Sequence, residues 1–249
     1  MDSSASPVGS EGPKGPPLPL AADTQGEIVL YNPEAAYAGP SRYPANSNVI
    51  WGNNLTTEEQ NRVVDAVFSA RHLTDEEQCP EETYPMKDKR ASGYFVPFVL
   101  DAVAGAFTTR GTSEKLYLVD VGYCRAPRFT EEYWSRVLSV LRGSTVVGRV
   151  PITRSNSRIL FTSDLDGDGR DEILLSSSSD GQGSYFESVE VIRMDASRMT
   201  VVKGWTDVVE APCGHEDEDE KLSILFVTRG PHLRFRLETY DRPCHLHGY

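Results

Sequence analysis

Hydrophobic positions in the second half of the chain come in short runs, cut off by glycine, aspartate, serine and other turn residues. From residue 93 onward the runs are YFVPFVLDAV, KLYLVDVGY, SRVLSVLRG, TVVGRVPI, RILFTSD, EILLSSSS, FESVEVIRM, RMTVVKGW, KLSILFVTR and HLRFRLETY. All are rich in Val, Ile, Leu, Phe and Tyr, the residues that suit a pleated, half-buried surface. The pattern predicts a mainly β domain over 93–249, made of antiparallel sheets as a truncated propeller-like stack or a two-sheet sandwich.

One run has a competing period. In TEEYWSRVLSVLRG, Thr130 could cap a helix, Trp134, Val137, Leu138 and Leu141 share a helical face, and Gly143 could end it. An internal similarity favours strand. EYWSRVLSVLRGSTVVGRV from Glu132 lines up with SYFESVEVIRMDASRMTVVKGW from Ser184, an offset of 52 residues (184 less 132). In each, an aromatic pair precedes a β-run, a polar turn and a second β-run, as in a blade-like repeat.

The first third differs. Residues 1–26, MDSSASPVGSEGPKGPPLPLAADTQG, are Ser, Gly and Pro rich and are expected to form a disordered tether. They lack a charged region followed by an apolar one, so they do not read as a signal peptide. They resemble the segment that follows one, with Met1 standing where an exported lipoprotein would carry its modified cysteine. Residues 27–92 form a helix-containing segment. In NLTTEEQNRVVDAVFSARHL, Thr56 and Glu59 have capping-box spacing, and Val63, Val64, Val67 and Ala70 return at helical intervals. Asn54-Leu55-Thr56 also matches a glycosylation acceptor. From Glu76 to Lys89 the chain reads as a charged loop.

The net charge of −12 and pI near 4.9 oppose binding to nucleic acid or anionic lipid. No apolar run reaches the roughly 18 residues of a membrane span. Cys79, Cys124, Cys213 and Cys244 include no CxxC pair, so zinc-ribbon and thioredoxin-like readings fail. Two disulfides are expected, which implies an oxidising compartment. The pairing favoured is Cys213 with Cys244 and Cys79 with Cys124, one of three connectivities open to four cysteines. The competing use of the tail is a Cys₂His₂ zinc set of Cys213, His215, Cys244 and His247. It ranks below the disulfide because its ligands do not come as close pairs of fixed spacing.

The most distinctive chemistry lies in SDLDGDGRDEILL. Counting from Asp164, carboxylates stand at positions 1, 3, 5 and 9, namely Asp164, Asp166, Asp168 and Glu172, with Asp171 beside the last. Gly169 stands at position 6, where the chain must turn, and the Arg170 carbonyl at position 7 can face inward. Crowded carboxylates repel unless a cation neutralises them. An all-oxygen set suits Ca²⁺, which takes about six to eight oxygens, better than Mg²⁺ or a soft metal. Position 12 is Leu175, so the acidic ligand that closes an EF-hand is missing. Apolar runs flank the loop on both sides, so it joins two strands.

A D-x-D-x-D-G-x-x-[DE] loop between strands resembles the calcium loops of FG-GAP and VCBS repeats of integrin-α-like propellers. DLDGDGRDEILL carries the likeness over about a dozen residues, and Leu116 to Tyr240 follows it loosely. The resemblance implies Ca²⁺ as the cofactor and an exported, envelope-associated address. A closed propeller needs several such blades, and one loop copy is present.

Elsewhere the chain offers less. HEDEDEK, His215 to Lys221, reads as a solvated hairpin tip. Ser176 to Ser179 have no nearby histidine, and no nucleophile elbow, HExxH helix or phosphate loop occurs. The expected function is therefore a non-enzymatic, extracytoplasmic calcium-binding module that engages a protein or glycan at the cell surface. The alternative is a calcium-dependent hydrolase, which would need a base beside an open metal position.

Overall fold

Three apolar residues in succession, Ile173, Leu174 and Leu175, cannot sit in a strand that faces water on one side. All three are buried, because their strand lies between two apolar layers. The computed structural model describes residues 26–34, 48–69, 97–125, 132–152, 156–181, 184–212 and 219–244. The tether expected before Gly26, the loop expected over Glu76–Lys89, and Cys79, Cys213, His215 and His247 lie outside the described residues.

In chain order the strands are β1 (Glu27–Tyr31), β2 (Ile50–Trp51), β3 (Phe98–Gly105), β4 (Glu114–Arg125), β5 (Glu132–Arg142) and β6 (Thr145–Ile152). They continue as β7 (Arg158–Ser163), β8 (Glu172–Gly181), β9 (Ser184–Met194), β10 (Met199–Ala211), β11 (Asp219–Thr228) and β12 (Arg234–Pro243). A helix, α1 (Thr57–Ser69), lies between β2 and β3. Every pairing among the described residues is antiparallel. Strands β2 to β6 form a five-stranded sheet in chain order, and the other seven strands form the second sheet. The molecule is thus mainly β, as the hydrophobic pattern predicts.

Alternation sets the layers. Leu116, Leu118, Leu138, Val140, Val150 and Ile152 of the five-stranded sheet meet Ile159, Ile173, Leu175, Ile192 and Met194 of the seven-stranded one. On its other face the five-stranded sheet presents Val99, Ala102, Tyr117, Val119 and Val137 to Val63 and Val67 of α1. Both faces of this sheet are therefore buried.

The seven-stranded sheet curls on itself into a half-barrel. Strand β10 pairs with β9 through Trp205, then shifts register before Val209, and Asp207 has a φ of 54° inside this irregularity. A bulge of this kind bends a strand and increases its twist. The bend lets Leu160, Leu174, Val189 and Val191 share a second core with Leu30, Leu225 and Val227. Trp205 and Phe235, both partly buried, pack against it and meet edge-on, with ring centroids 5.1 Å apart. The segments aligned at an offset of 52 residues are both hairpins, β5–β6 and β9–β10, but they belong to different sheets.

Helix α1 starts where its capping residue predicts: Thr56 Oγ1 accepts the Glu59 N–H (3.1 Å). Glu59 does not turn back to complete the box. Its carboxylate takes Lys115 Nζ (2.8 Å) and the Tyr117 hydroxyl (2.9 Å), tying the helix to β4.

Candidate metal centre

The acidic segment Asp164–Asp171 is the connection of the β7–β8 hairpin, with Ser163 opposite Glu172 in the ladder. Its shape is set by its own side chains. Asp164 accepts the Gly167 N–H (2.8 Å) on Oδ1 and the Gly169 N–H (3.0 Å) on Oδ2. Asp166 Oδ1 accepts the Asp168 N–H (3.0 Å), and Asp168 Oδ1 accepts the Arg170 N–H (2.9 Å). Gly167 and Gly169 have φ values of 79° and 86°, which glycine adopts without steric cost. The turn expected at Gly169 is present, and Gly167 makes a second one.

This winding gathers Asp164, Asp166 and Glu172, which offer carboxylate oxygens within 4.8 Å of one another. Asp168 goes elsewhere, its second oxygen lying 3.5 Å from Arg170 Nη2 and 3.8 Å from Arg110 Nη2. Arg170 reaches Asp195 at 3.1 Å. Asp171 turns to the β3–β4 connection, accepting the Ala106 N–H (2.8 Å) and donating its own N–H to the Ala106 carbonyl (2.7 Å).

Glu172 is the buried member, only 1 % exposed. Its Oε2 accepts the Leu165 N–H (2.8 Å) and its Oε1 takes Arg193 Nε (2.5 Å). The same guanidinium pairs through Nη2 with Asp166 Oδ2. Burial pushes the Glu172 carboxyl above its ordinary value, with Arg193 and the Leu165 amide pulling the other way. Arg193 is the functional residue the sequence reading missed. Ile173 faces Ile192 across β8 and β9, and one step along that register sets Arg193 beside Glu172. The available signal was a lone arginine in the otherwise apolar end of SVEVIRM.

The donor set fits a hard divalent ion. Oxygens on opposite sides of a Ca²⁺ with ligand distances of about 2.4 Å stand about 4.8 Å apart. Each of the three carboxylates offers one oxygen to such an ion, leaving the remaining positions to water or backbone carbonyls.

The cysteine chemistry is only partly in view. Each expected pairing includes a cysteine outside the described residues, Cys213 for Cys244 and Cys79 for Cys124, and so does the competing zinc set with Cys213, His215 and His247. The side chain of Cys124 lies outside the described residues. No helix among the described residues is long and apolar enough to cross a membrane.

No family model, curated protein or solved structure matches this chain. The likeness to FG-GAP and VCBS loops therefore rests on the loop residues themselves.

Proposed function

We propose that this protein is a calcium-binding, non-enzymatic binding or structural module of the cell envelope, in which Ca²⁺ held by Asp164, Asp166 and Glu172 rigidifies one end of a β-sandwich. The observation that carries the proposal is the convergence of those three carboxylates within 4.8 Å, one of them buried. Asp168 and the Arg170 carbonyl, expected as ligands at positions 5 and 7, are second-rank candidates, because Asp168 is engaged by arginines. Four cysteines with no CxxC pair support an extracytoplasmic address, since the two disulfides expected of them would persist in an oxidising compartment. The partner is a protein or glycan outside the cell.

An ion that binds the folded chain alone stabilises it by about 2.7 kcal/mol at a free concentration about 100 times its Kd. For a domain of this size that raises the melting temperature by about 5–11 °C. Melting in millimolar CaCl₂ is expected to exceed melting in EDTA by that margin, and Asp166→Ala is expected to abolish the difference. Superimposable curves for the wild-type protein, with the EDTA sample shown to be free of metal, would overturn the proposal. A thiol titration of denatured protein without reductant tests the address. Four reactive thiols would remove its support.

A further inference from the structure

We infer that Arg193 is the resident counter-cation of the acidic loop, and that a divalent ion taking up Asp166 and Glu172 must displace its guanidinium. The inference deepens the calcium reading and rests on it for the identity of the ion. It stands on an observation independent of the loop: a cation delivered by a different strand is already paired with two of the three carboxylates.

The register of β8 and β9 puts Arg193 beside Glu172, so its position does not depend on how the loop winds. Nε is bound to Glu172 Oε1 at 2.5 Å and Nη2 to Asp166 Oδ2. These are charge-assisted bonds, and the planar fork of arginine spans two acceptors that a point charge would not bridge equally well. Asp164 is held differently, by the Gly167 and Gly169 amides.

Three carboxylates carry three negative charges, and one guanidinium leaves two of them uncompensated. Exchanging it for a divalent ion lowers the residue to one. Both cations cannot hold the same oxygens, and like charges at such range repel strongly in a partly buried site. Glu172 is closed to solvent whereas the Arg193 side chain is 31 % exposed, so the arginine is the member with water to move into. Apparent metal affinity then equals intrinsic affinity reduced by the cost of expelling Arg193. The loop stays folded without metal because its counter-charge is built in.

The test is calorimetric titration of CaCl₂ into metal-free wild type, Arg193→Gln and Arg193→Lys, with melting of each in EDTA. Arg193→Gln is expected to melt several degrees lower in EDTA and to bind Ca²⁺ at least tenfold more tightly than wild type. Arg193→Lys, which keeps charge but loses the fork, is expected to fall between them and serves if the glutamine variant does not fold. Equal or weaker Ca²⁺ binding by the variants overturns the inference while leaving the calcium reading intact. Binding by Arg193→Gln with none by wild type upholds the inference and removes the calcium function. No binding by any of the three overturns both.

Discussion

Glu114 is 2 % exposed, yet it keeps its charge because four donors converge on it. They are the Phe107 and Thr108 amides (both 2.8 Å), the Thr108 hydroxyl (2.6 Å) and Arg142 Nη2 (2.7 Å). Burial alone would raise its pKa, but these bonds outweigh burial and bring it from 4.5 down to about 2. A carboxyl whose folded pKa is depressed stabilises the fold above its unfolded value and loses that contribution as pH falls towards the folded one. Glu114 should therefore stabilise the protein at neutral pH by on the order of 3 kcal/mol, lost between about pH 4.5 and pH 2. Urea denaturation across that range should give a smaller acid-side slope for Glu114→Gln than for wild type, and lower stability at pH 7. Identical slopes would mean that the four donors do not act on a charged group.

At the scale of elements, strands β3 to β12 and the helix were readable because each announces itself locally, whereas β1 and the two-residue β2 lie in the segment read only as helix-containing. Thr56 caps α1 as its spacing predicts, and Ile173–Leu175 demand a strand covered on both faces. The contested run around Trp134 is strand β5, since pairing with β4 and β6 on both edges overrides its helical period. What pairs with what was not readable. Strand β1 joins β11 across some 200 residues of sequence, and no local pattern encodes such a partner. The role of α1 also emerges only in three dimensions, where Val63 and Val67, both fully buried, close the outer face of the five-stranded sheet. Val67→Ala should leave a cavity against that sheet and cost about 2 kcal/mol. Glu58→Ala, on the exposed side, should change stability by less than about 0.5 kcal/mol. Equal effects of the two on the denaturation midpoint would show that the helix does not depend on its buried stripe.

For the whole molecule, the acidic loop matters as the point where separate parts of the chain meet. Asp171 exchanges two hydrogen bonds with Ala106 of the β3–β4 connection, and the Gly111 N–H reaches the Gly169 carbonyl (3.0 Å). Arg170 reaches Asp195 beyond β9, and the Gly230 N–H between β11 and β12 reaches the Leu165 carbonyl (3.0 Å). Gly105 permits the closest of these approaches, because a Cβ there would stand 2.4 Å from Asp171 Oδ2. The sequence made the carboxylate spacing legible, since Asp164 and Asp166 of the loop and Glu172 at the start of β8 are close together along the chain. It hid Arg193, and it hid the diversion of Asp168 and Asp171, because those depend on neighbours brought in by folding. Asp171 is then a joint between the two sheets and not a metal ligand, and this separates two kinds of variant. Asp171→Ala leaves the Ala106 N–H without its acceptor and should cost about 1–3 kcal/mol, in EDTA as well as in calcium. Asp171→Asn keeps an acceptor oxygen and should cost less. Hydrogen exchange supplies the sharper reading: if the connection and the loop open as one unit, the alanine variant speeds exchange at Ala106 and Gly111 together. Faster exchange at Ala106 alone would mean that the loop does not clamp the sheets, and that an ion bound there stiffens a hairpin and little else.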